Sequence, residues 1–113
     1  KDYPGDRIDP IHEADAALRA LGDHLAETGQ PLRAAEVYQE LLDKIMAFKP
    51  DPQNDLQHAA RLSQTYDSLA ALDRRNGRAQ DAAILGARRS EIWRHWQSKL
   101  PNNPFVLHQI AAR

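Results

Sequence analysis

The stretch LRALGDHLAETGQPLRAAEVY, residues 18–38, carries two apolar patterns of helical spacing on either side of a turn. Leucines recur three and four residues apart before Gly29, and alanine, valine and tyrosine do the same after Pro31. Glycine readily takes the left-handed conformation that ends a helix, and proline suits the first position of the next one. The stretch therefore predicts two antiparallel helices joined by a tight turn.

Similar signals divide the rest of the chain. A capping side chain precedes a proline at Asp9-Pro10, Asp51-Pro52 and Asn103-Pro104, and Gly77 follows Asn76 at a second tight turn. Alternating stretches rich in Val, Ile and Thr, which would indicate strands, are missing. We predict helices at residues 10–28, 31–48, 52–75, 79–99 and 104–112. The predicted fold class is all-α, with antiparallel hairpins stacked as a short solenoid under a C-terminal capping helix.

The predicted organisation has four parts. Residues 1–9 form an N-terminal extension or linker, residues 10–50 a first hairpin, residues 51–100 a second hairpin, and residues 101–113 the capping helix. Trp93 and Trp96 lie three residues apart on one helical face and could form an aromatic pocket for a peptide. We favour a seal between the last hairpin and the capping helix, with Phe105 and Ile110 as partners, because the end of a solenoid must be covered.

Composition restricts the classes of function. At 113 residues, 42% apolar and 27% charged, the chain fits one folded domain, and no apolar run is long enough to cross a membrane. The net charge of −1 divides into −4 over residues 1–50 (six basic, ten acidic) and +3 over residues 51–113 (nine basic, six acidic). A nucleic-acid binder usually presents a stronger basic stripe, so we expect no nucleic acid as partner. The sequence does not determine the cellular compartment, and we favour the cytoplasm.

Catalytic and metal-binding signatures are missing from the sequence. There is no cysteine, and none of the five histidines forms the four-residue pair that places two metal ligands on one helical face. Serines and threonines occur without a nucleophile elbow or a glycine-rich phosphate loop. We therefore expect no enzyme activity, no cofactor and no metal.

The first hairpin resembles the tetratricopeptide repeat, whose pattern is W-x2-L-G-x2-Y, then A-x3-F, then a closing proline. The second hairpin resembles it less closely, because Asp73 and Gly86 stand where large apolar or aromatic residues are expected. The two units are 48 residues apart, from Leu18 to Tyr66, instead of about 34. The matching residues are Leu18, Leu21, Gly22, Leu25, Gly29, Ala34, Tyr38 and Pro50 in the first unit and Tyr66, Leu69, Ala70, Gly77 and Ala82 in the second.

The resemblance implies a module that binds a protein or peptide in a groove lined by the first helix of each hairpin. A version of this fold that grips a peptide carboxylate uses lysine, asparagine and arginine there. Asp23 and Asp67 occupy such places here, which favours a mixed-charge ligand, or none. The implied contact residues are Arg19, Asp23 and Glu27 in the first helix and Gln64, Asp67, Ala71, Arg74 and Arg75 in the third.

Residues 88–106 also resemble the end of tetratricopeptide regions that follow the kinase domain of some bacterial serine/threonine kinases. This resemblance implies a docking or regulatory fragment of a larger signalling protein. Two other hypotheses stay open. The hairpins could be a structural segment of a longer solenoid, or self-associate through residues 1–15, and a small helical enzyme or nucleic-acid binder is the third possibility.

Overall fold

The computed structural model describes residues 10–111, with side chains from residue 16 onward. This part of the chain is all-helical and contains no strand, which confirms the predicted fold class. The predicted extension over residues 1–9, the capping side chain of Asp9 and the last two residues of the predicted capping helix lie outside the described residues. The helices are α1 (Pro10–Glu27), α2 (Pro31–Ala47), α3 (Leu56–Arg75), α4 (Ala79–Lys99) and α5 (Pro104–Ala111).

Two glycines end the first helix of each hairpin, as predicted. Gly29 has φ 81° and Gly77 has φ 76°, the left-handed region that costs glycine little. The side-chain amide of Asn76 donates a hydrogen bond of 3.0 Å to the carbonyl oxygen of Pro31. This bond ties the turn of the second hairpin to the start of α2, so the two turns lie at the same end of the stack.

The predicted start of the third helix at Asp51-Pro52 is wrong, because α3 begins at Leu56. The capping side chain is Asp55, whose carboxylate accepts hydrogen bonds from the backbone amides of Gln57 and His58. Residues 51–55 form a turn instead, in which the carbonyl oxygen of Asp51 accepts from the amides of Asn54 and Asp55.

The cause of this difference is a contact from the far end of α4. The indole nitrogen of Trp96 donates a hydrogen bond of 2.6 Å to the carbonyl oxygen of Pro52, and Lys99 donates to that of Gln53. A helix starting at Pro52 would use these two carbonyl groups in its own first turns. Because α4 binds them instead, the chain stays in a turn until Asp55.

The main core lies within and between the two hairpins. Alanines at the start of α2 and α4 bring the helices close together, and leucines fill the space between α1, α2 and α3. Gly22 lies directly against the buried ring of Tyr38, so α1 and α2 approach closely at this point. The buried core residues are Leu25, Ala34, Ala35, Tyr38, Leu41, Leu42, Ile45, Leu62, Tyr66, Leu69, Ala70, Leu72, Ala82 and Leu85.

A second, smaller cluster joins α5 to the end of the last hairpin. Trp93 and Trp96 are 1% and 6% exposed, and Val106 of α5 is fully buried against them. The ring of Phe105 meets that of Trp93 edge to face at 5.9 Å, and Ile110 packs against the same cluster. The predicted aromatic seal is confirmed, and the two tryptophans are therefore not an open peptide pocket.

Candidate functional site

The predicted contact residues lie on the surface, with one exception. Asp23, Glu27, Gln64, Asp67, Ala71, Arg74 and Arg75 are exposed. Arg19 is half-buried, because its guanidinium donates a hydrogen bond of 2.9 Å to the hydroxyl of Thr65 and lies 5.9 Å from the centre of the Tyr38 ring. Arg19 therefore joins α1 to α3.

Asp23 is also engaged by its own fold, since it accepts a hydrogen bond of 2.5 Å from the hydroxyl of Tyr38. Burial and this bond to a carboxylate raise the pKa of Tyr38 to about 12, because both disfavour a phenolate. The Tyr38 hydroxyl thus stays a donor at neutral pH and holds the Asp23 carboxylate at the α1–α2 junction.

Gln64 and Asp67 come together with residues of α4 and α5. They line a groove of about 390 Å³, the α3–α5 groove, together with Arg89 and Phe105. Ala60, Ser63 and Gln109 complete its lining. The groove contains a carboxylate, an amide and a guanidinium beside an aromatic ring, so it can contact donors, acceptors and apolar groups of a ligand.

Arg89 is the unusual member of this groove. It is only 7% exposed, and one terminal nitrogen of its guanidinium, Nη2, donates a hydrogen bond of 3.2 Å to the carbonyl oxygen of Gln109 in the last turn of α5. The other two nitrogens, Nε and Nη1, are buried and have no hydrogen-bond partner within the described residues. A buried charged group with unpaired N–H donors is costly to a fold, and an acceptor brought by a ligand removes that cost.

Arg74 lies apart from Gln64 and Asp67. It borders a groove of about 530 Å³ along α4, which we call the α4 face. Small residues form most of this face, and Ser90, Glu91 and Arg94 complete it. The predicted contact residues are therefore distributed over more than one surface. The small residues are Ala79, Ala82, Ala83, Gly86 and Ala87.

Sequence reasoning missed Arg89 as a site residue. Its position offered a signal, because it lies four residues from both Leu85 and Trp93, on the apolar face of α4. A charged side chain within an apolar stripe must either find a partner or line a cavity. The pattern marks the position, whereas the absence of a partner is visible only in three dimensions.

Within residues 10–111, no helix is both long and apolar enough to cross a membrane. Among the side chains that the structure describes, from residue 16 onward, no three His, Asp or Glu are grouped to hold a metal ion. The chain matches no protein-family model, no curated protein and no solved structure. The fold and the grooves define an all-α protein of packed helical hairpins with exposed polar grooves.

Proposed function

We propose that the chain is a non-catalytic module of the tetratricopeptide type that binds a protein or peptide segment in the α3–α5 groove. The observation that carries the proposal is the guanidinium of Arg89, a residue of the groove lining whose Nε and Nη1 are buried and have no hydrogen-bond partner within the described residues. Gln64 and Asp67, two of the predicted contact residues, line the same groove. The hairpin pattern supports the proposal independently.

The lining favours a ligand of mixed character. Arg89 requires an acceptor, such as a carboxylate or a carbonyl oxygen, while Asp67 requires a donor. The exposed ring of Phe105, 43% accessible, offers an apolar surface beside them. A peptide main chain with an acidic and an apolar side chain provides all three kinds of group, and the negative charge of Asp67 disfavours a highly charged anion.

A peptide library tests the proposal. We expect selection against the immobilised chain to enrich peptides that contain an acidic residue. Arg89→Met should weaken their binding about tenfold or more, because truncating one partner of a buried charged hydrogen bond costs about 2–5 kcal/mol. Arg33→Met, an exposed arginine of α2, is the matched control and should leave binding unchanged.

Weaker peptide binding by Arg89→Met also has to be distinguished from misfolding of this variant. Arg89→Met also removes the hydrogen bond to the carbonyl oxygen of Gln109, so its helical circular dichroism and melting temperature are measured, and binding is compared well below its melting transition. The proposal is overturned if no peptide is enriched, or if both variants bind enriched peptides equally well.

The alternative is a structural segment of a longer solenoid, or a module that self-associates. The α4 face favours it, because alanines and Gly86 leave room for another helix to approach closely. Sedimentation distinguishes the two: association that grows with concentration and that Ala83→Glu abolishes, without any peptide enrichment, would support the alternative. The resemblance of residues 88–106 further supports a parent signalling protein that contains a kinase domain, which the surrounding coding sequence would reveal.

A further inference from the structure

A different groove lies between α2 and α4, where α3 provides its base. We call it the α2–α4 groove, and its volume is about 550 Å³. Five carboxylates and two guanidiniums line it, so its formal charge is −3 (two positive against five negative). Leu69, Leu85 and Ile84 give it an apolar component. The charged residues are Glu36, Glu40, Asp43, Asp73, Arg78, Asp81 and Arg88.

Asp73 occupies the buried side of this groove. It is 5% exposed, and the effects on its carboxylate within the described residues are burial and nearby charges, with no hydrogen bond among them. Burial, and then the nearby negative charge of Asp81, raise the pKa of Asp73, while the positive charge of Arg78 lowers it. The carboxylate at the base of the groove is thus held largely away from solvent, and the positive charge of Arg78 offsets only part of this effect.

The position of Asp73 makes this arrangement notable. It lies four residues after Leu69 and seven after Tyr66, on the apolar face of α3, where the repeat pattern expects a large apolar residue. An apolar side chain here would pack in the core at no electrostatic cost, whereas a largely buried carboxylate loses hydration that Arg78 offsets only in part. A cation that donates hydrogen bonds to Asp73 would remove this cost.

We propose that the α2–α4 groove binds a basic peptide, in which an arginine or lysine side chain reaches Asp73 and a neighbouring apolar side chain contacts Ile84. Charge complementarity supports this partner, because the acidic residues of α2 and α4 surround the entrance to Asp73. Ile84 is 52% exposed at the same groove, so an apolar contact is available. The site shares no residue with the α3–α5 groove and does not depend on it.

Fluorescence anisotropy with a short labelled peptide of alternating arginine, leucine and glycine tests the proposal. We expect saturable binding that Asp73→Asn weakens about tenfold or more, since it removes the charge of the buried acceptor. Arg88→Gln should strengthen binding, because it removes a positive charge from the groove. Glu91→Gln, an exposed residue of α4 outside the groove, is the matched control and should bind as the native chain does.

Stability measurements exclude loss of the fold as the cause. Asp73→Asn is nearly isosteric and relieves a buried charge, so this variant should melt at the same or a higher temperature while it loses the peptide. A peptide with glutamate in place of arginine should not bind. The proposal is overturned if Asp73→Asn and Glu91→Gln weaken binding equally or if the glutamate peptide binds as well. It is also overturned if sedimentation shows self-association that Asp73→Asn abolishes, since a second copy of the chain would then occupy the groove.

Discussion

Replacement of Gly22 by alanine tests how closely α1 and α2 approach. A Cβ atom at this position would lie 2.6 Å from Cε2 and 2.7 Å from Cδ2 of Tyr38, well inside the usual contact of about 3.5–4.0 Å. The Tyr38 ring is 2% exposed and its hydroxyl is bound to Asp23, so the ring cannot swing aside without losing contacts. Overpacking costs about 1–3 kcal/mol, while alanine gains about 0.5–1 kcal/mol over glycine within a helix.

We therefore expect Gly22→Ala to lower the free energy of unfolding by about 1–2 kcal/mol, measured by urea denaturation with circular dichroism. Gly86→Ala is the control, because no atom lies within 4 Å of a Cβ built at Gly86. That variant should gain about 0.5–1 kcal/mol from helix propensity alone. The reasoning is refuted if Gly22→Ala is as stable as Gly86→Ala, since the close approach to Tyr38 would then have no energetic consequence.

Three further predictions concern individual contacts. Asp55→Ala should lower the free energy of unfolding by about 1 kcal/mol in urea, because it removes the cap of α3, and an unchanged midpoint would contradict that role. Ser63→Ala should lower the free energy of unfolding by about 1–3 kcal/mol, since it leaves the buried indole N–H of Trp93 without its acceptor. An unchanged midpoint of urea denaturation would contradict this reason. The raised pKa of Asp73 means that the fold favours its protonated form, so this group's contribution to stability is complete below pH 3.8 and is lost as pH rises through the folded pKa. Asp73→Asn should lack that decline when unfolding is measured across the acidic range, and an identical pH profile would contradict the prediction.

The arrangement of helices follows largely from local signals in the sequence. Gly29 and Gly77 end helices because their conformation is cheap for glycine, and Asn103 caps α5 by accepting a hydrogen bond from the amide of Val106. These effects act within a few residues and can be predicted without knowing the fold. The start of α3 could not be predicted in this way, because it depends on the hydrogen bond from Trp96, 44 positions away, to Pro52.

The site was predicted less completely. The exposure of Gln64, Asp67 and Arg74 follows from helical periodicity, which places them opposite the apolar stripe of α3. Their distribution over separate grooves does not follow from periodicity, since it depends on where α5 packs. Likewise, the sequence shows Arg89 and Asp73 within apolar stripes, but only the packed helices show that two nitrogens of Arg89 lack a hydrogen-bond partner among the described residues and that Asp73 lies near the charges of Asp81 and Arg78.

The two buried charges are the features on which both proposals rest, because an apolar residue at either position would avoid the loss of hydration. Two nitrogens of Arg89 lack acceptors within the described residues beside one groove, and Asp73 is a largely buried carboxylate beside another. Replacing whole buried ion pairs by apolar residues is often neutral or stabilising, so we expect the fold to tolerate the loss of either charge. If Arg89→Met and Asp73→Asn keep the fold but lose opposite classes of peptide, the charges serve recognition. The two hairpins would then be a scaffold with two binding surfaces of opposite preference.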